Sequence, residues 1–128
     1  MEVTKIVNLT PHDIVLRTDP SNVLEILDTD LVYPSDGRAF ITTESETEIG
    51  HINGIPDVEI EYGEISDLPD PKPGTIFIVA MPTAQMLAAR EQRVDDIRYP
   101  DTGNPKYCVR TDKGLPFATR RLLKAKVR

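Results

Sequence analysis

Stops set the architecture of this chain before anything else does. Asp19-Pro20-Ser21-Asn22, Tyr33-Pro34-Ser35-Asp36-Gly37, the segment 66–74 and Pro100-Asp101-Thr102-Gly103-Asn104-Pro105 each interrupt any regular element. Proline removes an amide donor and fixes φ, while clustered Asp, Asn, Ser and Gly favour turns. The periodic stretches left between these stops are short. That excludes long helices, coiled coils and membrane-spanning helices, and leaves short strands with a single helix. At 128 residues the chain is expected to form one domain, residues 1–128.

Read in order, 3–9 is strand-like, with Val3, Ile6 and Val7 turned inward. Thr10-Pro11-His12 ends it, since proline also restricts the residue before it. Ile14 to Arg17 alternates as a second strand, expected antiparallel to the first. Val23 to Leu27 reads as a third, and Arg38 to Thr43 as a fourth. Glu44 to Glu48 alternates Glu with Ser or Thr, as on a solvated edge strand. Asn53-Gly54 is the strongest hairpin signal in the chain. Beyond it Val58, Ile60 and Tyr62 alternate with acids, which predicts an apolar face turned inward.

Residues 66–74 form a stiff surface connector. Thr75 to Ala80 is the most apolar stretch and is expected at the centre of a sheet, buried on both faces. Pro82 suits a first helical turn, and Ala84 to Arg93 predicts the helix, with Ala84, Leu87 and Ala88 on its buried face. Tyr107 to Thr111 and Ala118 to Leu123 predict a strand pair closed around Asp112-Lys113-Gly114. The end, 122–128, reads as a last strand or a basic tail. The fold class is therefore α+β: a mostly antiparallel sheet or partly open β-barrel with one helix, about 84–93. Ile76, Ile78, Val58, Ile60, Leu87 and Val109 are expected to be buried together.

Charge is divided along the chain. Residues 1–75 carry sixteen acidic and four basic side chains; residues 76–128 carry eleven basic and five acidic. The overall balance of −6 and the scarcity of aromatics argue against direct nucleic-acid binding. The basic third suits an anionic ligand, because guanidinium groups bind phosphate bidentately. The expected binding residues are Asn8, Thr10 and His12 at the end of the first strand, with Arg93, Asp96, Arg98, Asp101 and Arg110. Arg93, Arg98 and Arg110 are expected at the centre of a basic face, unless these arginines pair with the acids of the N-terminal part. The helix start, whose free amides attract anions, is a further candidate site, with Arg93 toward the helix's other end.

No nucleotide-binding glycine loop, nucleophile elbow or calcium loop occurs. No catalytic residue, metal ligand set or cofactor is expected, and the reading leans away from an enzyme. Cys108 reads as a small buried hydrophobe. One cysteine and the absence of a leader-like N-terminus predict a cytoplasmic protein with no membrane partner.

The chain also resembles a family of short uncharacterised proteins from tailed bacteriophages and from bacterial and archaeal genomes. The matching pieces are Asn8-Leu9-Thr10-Pro11-His12, Gly54-Ile55-Pro56, Tyr62-Gly63-Glu64, Pro73-Gly74-Thr75-Ile76-Phe77-Ile78-Val79, Arg93-Val94-Asp95-Asp96, Pro100-Asp101-Thr102-Gly103 and Asp112-Lys113-Gly114. Members commonly have Ser where this chain has Ala80, so no hydroxyl role carries over to that position. The resemblance implies a phage or mobile-element setting and no particular activity.

Three functions follow as expectations. The first is a non-enzymatic binding protein that sequesters an anionic, nucleotide-like small molecule or inhibits a host protein. The second is an acidic inhibitor whose carboxylates mimic nucleic acid against a host nuclease or defence complex. The third is a small nucleotide hydrolase or transferase. The oligomeric state is left open, a homo-oligomer included.

Overall fold

The computed structural model describes residues 2–127. Its elements, in chain order, are β1 (Lys5–Asn8), β2 (Ile14–Leu16), β3 (Leu31–Tyr33), β4 (Phe40–Ile52), β5 (Ile55–Ser66), β6 (Thr75–Ile78), α1 (Met81–Ala89), β7 (Ile97–Pro100), β8 (Cys108–Arg110), β9 (Pro116–Thr119) and β10 (Leu122–Leu123). This is a mixed α+β fold. Three separate sheets stay open, and α1 is the one helix among the described residues.

The first sheet has the order β1-β6-β7-β10. β1, β6 and β7 run parallel, and β10 is antiparallel to β7. β6, α1 and β7 make a strand–helix–strand crossover, which is how adjacent parallel strands are joined. Every residue of β6 is buried, as its unbroken apolar run requires. Phe77 and Val79 pack with Val7, Leu9, Ala84, Leu87 and Ile97 in the main core. The helix starts at Met81 with Pro82 in its first turn. It ends sooner than its composition suggests. Glu91 adopts φ 53°, and its amide and that of Gln92 fold back onto the Ala88 and Leu87 carbonyls. This left-handed stop places Arg93 outside the helix.

The second sheet has the order β3-β2-β9-β8. β8 and β9 form the expected antiparallel pair. Val15, Val109 and Ala118 make a separate small core against Phe117. β2 was expected beside β1; it pairs instead with β3 and β9. The expected strand at Val23–Leu27 is absent, and Val23, Leu24 and Ile26 are exposed. A fully buried arginine explains this. Arg17 reaches into that segment and donates to the carbonyls of Ser21, Val23 and Glu25. Its guanidinium also forms a buried pair with Asp30 at 2.9 Å. A chain whose carbonyls converge on one cation cannot also hold a sheet ladder.

β4 and β5 form a hairpin that shares no ladder with the other sheets. Asn53 (φ 51°) and Gly54 (φ 82°) make its two-residue turn, both left-handed as the tight hairpin connection needs. Most of its residues are exposed on both faces. The expected inward apolar face is therefore corrected: Val58 is 42% exposed, Tyr62 53%, and Ile60 only half-buried. The register gives the reason. Glu48 stands directly opposite Val58, and Glu46 opposite Ile60, so each shares a face with its partner. Neither face is dry enough to pack. Of the six residues expected in one core, Ile76, Ile78 and Leu87 are buried, Val109 lies in the second cluster, and Val58 and Ile60 lie on the hairpin. Residues 124–127 form no strand, and Arg128 lies outside the described residues.

Candidate functional site

Two features stand out: a cleft between the first two sheets, and the hairpin arm. Parallel strands deliver their following loops to one end of a sheet, where ligands of open α/β sheets gather. Here Thr10–Asp13 follow β1, Ala80–Pro82 follow β6, Pro100 ends β7 and Thr102 follows it. Ile14, Val15 and Leu115–Thr119 from the second sheet supply the facing wall. The cleft encloses about 610 Å³. Its walls are mainly apolar, and Met81 and Leu115 are exposed at 50% and 60%.

The residues expected to bind a ligand separate into two groups. Asn8, Thr10 and His12 are together. Asn8 is buried, and its amide group is fully used: Nδ2 donates to the His12 and Tyr33 carbonyls, both at 2.8 Å. Its Oδ1 accepts from the Thr10 amide and hydroxyl. Asn8 thus builds the turn that ends β1. Thr10 and His12 line the cleft, with His12 exposed at its rim.

The arginines do not converge with them. Arg93 lies beside Asp96, its Nη2 2.7 Å from the carboxylate, and also donates to the Pro69 carbonyl while stacking on Phe77. Arg98 donates to the carbonyls of Asp95 and Ile97. Arg110 ties the Gly114 and Thr102 carbonyls. Asp101 is buried and accepts from Arg121 at 2.7 Å. The Arg121 guanidinium holds that carboxyl below the ordinary aspartate range, with help from the Asn104 and Gly103 amides and against the effect of burial. Arg120 clamps the carbonyls of Asp19, Pro20 and Ser21. These arginines act as staples between loops: Arg93, Arg98, Arg110 and Arg120 each donate to at least one backbone carbonyl, and Arg121 holds Asp101. Asp95 pairs with Lys124. Among the described residues no group of His, Cys, Asp or Glu is arranged to hold a metal ion. Cys108 is buried, and that burial pushes its thiol pKa up, away from the reactive thiolate.

The arm is the feature that sequence reading missed. Its base is anchored. Ile65 and Leu68 pack on the main core, and Arg90 donates to the Gly63 and Tyr62 carbonyls. A Cβ at Gly63 would lie 2.5 Å from the Thr42 hydroxyl, so a larger residue there would force Thr42 to shift. From the Thr43–Tyr62 pair to the Ile52–Ile55 pair β5 runs seven residues and the bulged β4 nine, so the arm extends roughly 24 Å at about 3.4 Å per residue. Residues 40–66 carry seven carboxylates and no Lys or Arg. Segment 49–56 is free of Asp, Glu, Lys and Arg, and its Ile49, Ile52 and Ile55 are 58%, 61% and 68% exposed. Alternation along each strand is visible in the sequence, but the register between the strands is not. The register shift between Glu48 and Gly50 brings Glu48 and Glu46 opposite Val58 and Ile60, where an unshifted pairing would set them opposite Glu59 and Glu61.

No protein-family model matches the chain, and no curated protein or solved structure is significantly similar to it. Among the described residues no helix is long and apolar enough to cross a membrane.

Proposed function

We propose that this is a non-enzymatic binding protein that works by contact with another protein surface, and that the β4–β5 arm makes the contact. The observation that carries this reading is the arm itself. A two-stranded ribbon exposed on both faces is marginal in water and gains most from a partner. Its acidic shaft selects a cationic surface, and its uncharged isoleucine tip selects an apolar recess. Turnover finds no support: Cys108, Asp30 and Asp101 lie outside the cleft lining, the thiol buried and both carboxylates held by arginines. The guanidiniums expected to take a nucleotide-like anion are engaged within the chain.

The seven carboxylates of the arm, with no Lys or Arg among them, favour a second reading: an inhibitor that covers the phosphate-binding surface of a nucleic-acid-handling protein. Such blockade of a host factor suits the phage-type setting implied by the sequence resemblance.

The test is photo-crosslinking in living cells. A photoreactive residue is placed at Ile55 on the tip or, as a control, at Val23, which is exposed at 46% but lies off the arm. Irradiation is expected to give a protein adduct from position 55 and none from position 23. Absence of an adduct at 55, or equal adducts at both positions, would overturn the proposal.

A further inference from the structure

Resting on the reading that the arm makes the contact, we infer that the outer edge of β5 takes up an extended segment of the partner protein as a third strand, and that this segment carries Lys or Arg at every second position. The hairpin is a sheet of two strands, so β4 and β5 each keep one edge without a neighbour. Pro56 shows which β5 groups face outward. It stands in the ladder opposite His51 yet has no amide hydrogen, so its nitrogen side points away from β4. Period two turns the N–H and C=O groups of Val58, Ile60 and Tyr62 the same way. Arg90 donates to the Tyr62 carbonyl from that side. Among the described residues no backbone group outside the hairpin bonds to Val58 or Ile60.

The two edges are not equivalent. β4 carries the extra residue at both bulges, Glu44 between Thr43 and Ser45 and Ile49 between Glu48 and Gly50. Bulges twist an edge away from pairing. β5 is regular from Ile55 to Tyr62. Strand addition needs such a row, because the main chain supplies the bonds and alternate side chains supply the choice of partner. Asp57, Glu59 and Glu61 stand on one face of β5, and Val58, Ile60 and Tyr62 on the other. None of the three acids is in an ion pair among the described residues. Cations alternating along the added strand lie beside those acids, and apolar residues between them cover Val58 and Ile60. A second arm fits badly, since it sets carboxylates against carboxylates. The chain's own 123–127 has Lys124 and Lys126 at the right spacing, but Lys124 is paired with Asp95 and Lys124 to Lys126 face the end of α1. The occupant is therefore a segment of a different protein.

Fluorescence anisotropy on the full chain tests this with labelled peptides of about seven residues, the span of 56–62. One peptide alternates Lys with Val. Its isomer has the same composition with the lysines grouped at one end. The proteins are the parent, Val58→Pro, Glu59→Lys and Glu46→Lys, with folding verified by matching melting curves. Val58→Pro removes an outward amide hydrogen, as Pro56 already does two residues earlier. Glu59→Lys reverses a charge on β5, and Glu46→Lys makes the same change on β4. The parent should bind the alternating peptide about tenfold or more tightly than the isomer. Val58→Pro and Glu59→Lys should each weaken that binding about fivefold or more, and Glu46→Lys less than about twofold. Equal binding of the two peptides, binding of neither, unchanged affinity in Val58→Pro, or equal losses in Glu59→Lys and Glu46→Lys would each overturn the inference. So would self-association of the parent that Lys124→Glu with Lys126→Glu abolishes, since a second copy would then supply the strand. If position 55 still crosslinks to a protein after any of these failures, strand addition falls and the arm's role stands; loss of that crosslink removes the arm itself.

Discussion

Replacing Arg17 by Met tests the reason why residues 19–30 form a loop and not a strand. The Arg17 side chain is fully buried. Nε and Nη2 contact Asp30 at 3.0 and 2.9 Å, and the remaining donors hold the carbonyls of Ser21, Val23 and Glu25 at 2.8–3.0 Å. The guanidinium also stacks on Phe117, 5.6 Å from the ring centroid. Met keeps much of the volume and removes every donor. Removing one partner of a buried pair costs about 3–5 kcal/mol, because the other charge stays buried without compensation. For a chain of this length each kcal/mol shifts Tm by about 3–5 °C, so the expected drop is roughly 10–20 °C. Thermal unfolding followed by circular dichroism at neutral pH measures it. The double variant Arg17→Met, Asp30→Leu should recover part of the loss, since it leaves no lone charge behind but still strips the loop carbonyls and the Leu27 amide of their partners. A single-variant drop below about 5 °C, or a double variant no better than the single, would refute the staple.

Other consequences are equally direct. Ile78→Ala should destabilise by about 2–5 kcal/mol in urea unfolding, while Val58→Thr on the arm should change stability by less than about 0.5 kcal/mol; similar losses for both would return Val58 to the core. Arg90→Ala frees the Gly63 and Tyr62 carbonyls and should speed amide exchange along β4 and β5, at a global cost of about 1 kcal/mol. Asp30 and Asp101 have folded-state pKa values below the ordinary one, because Arg17 and Arg121 respectively bind their charged forms. They hold protons more weakly folded than unfolded. Their stabilisation is therefore complete above about pH 4 and is lost as pH falls through the folded values. A Tm–pH profile should fall on the acid side, and Asp101→Asn should flatten that fall.

Much of the fold could be read from local pattern. The β6–α1 unit, the β8–β9 pair and the Asn53-Gly54 turn declare themselves through an apolar run, a proline-led helix and a two-residue hairpin signal. What escaped depends on pairing. Period-two alternation in Val58, Ile60 and Tyr62 fixes which residues share a face of their own strand. It is silent on the facing strand, where Glu46 and Glu48 fill the same side. Val23–Leu27 looked like a strand because its residues are β-formers, yet one distant arginine claims its carbonyls. Charge counting found the arginines but not their partners. It compared them with carboxylates, whereas the structure satisfies most of them with backbone oxygens.

The central claim is that the arm meets the partner and the arginines do not. Hydrogen exchange on the chain recovered with its bound partner, compared with the bare chain, tests it most directly. Slower exchange across 46–60, with 93–98 and 110 unchanged, is the predicted result. Slowing confined to those arginine-bearing segments, with the arm unaffected, would contradict it.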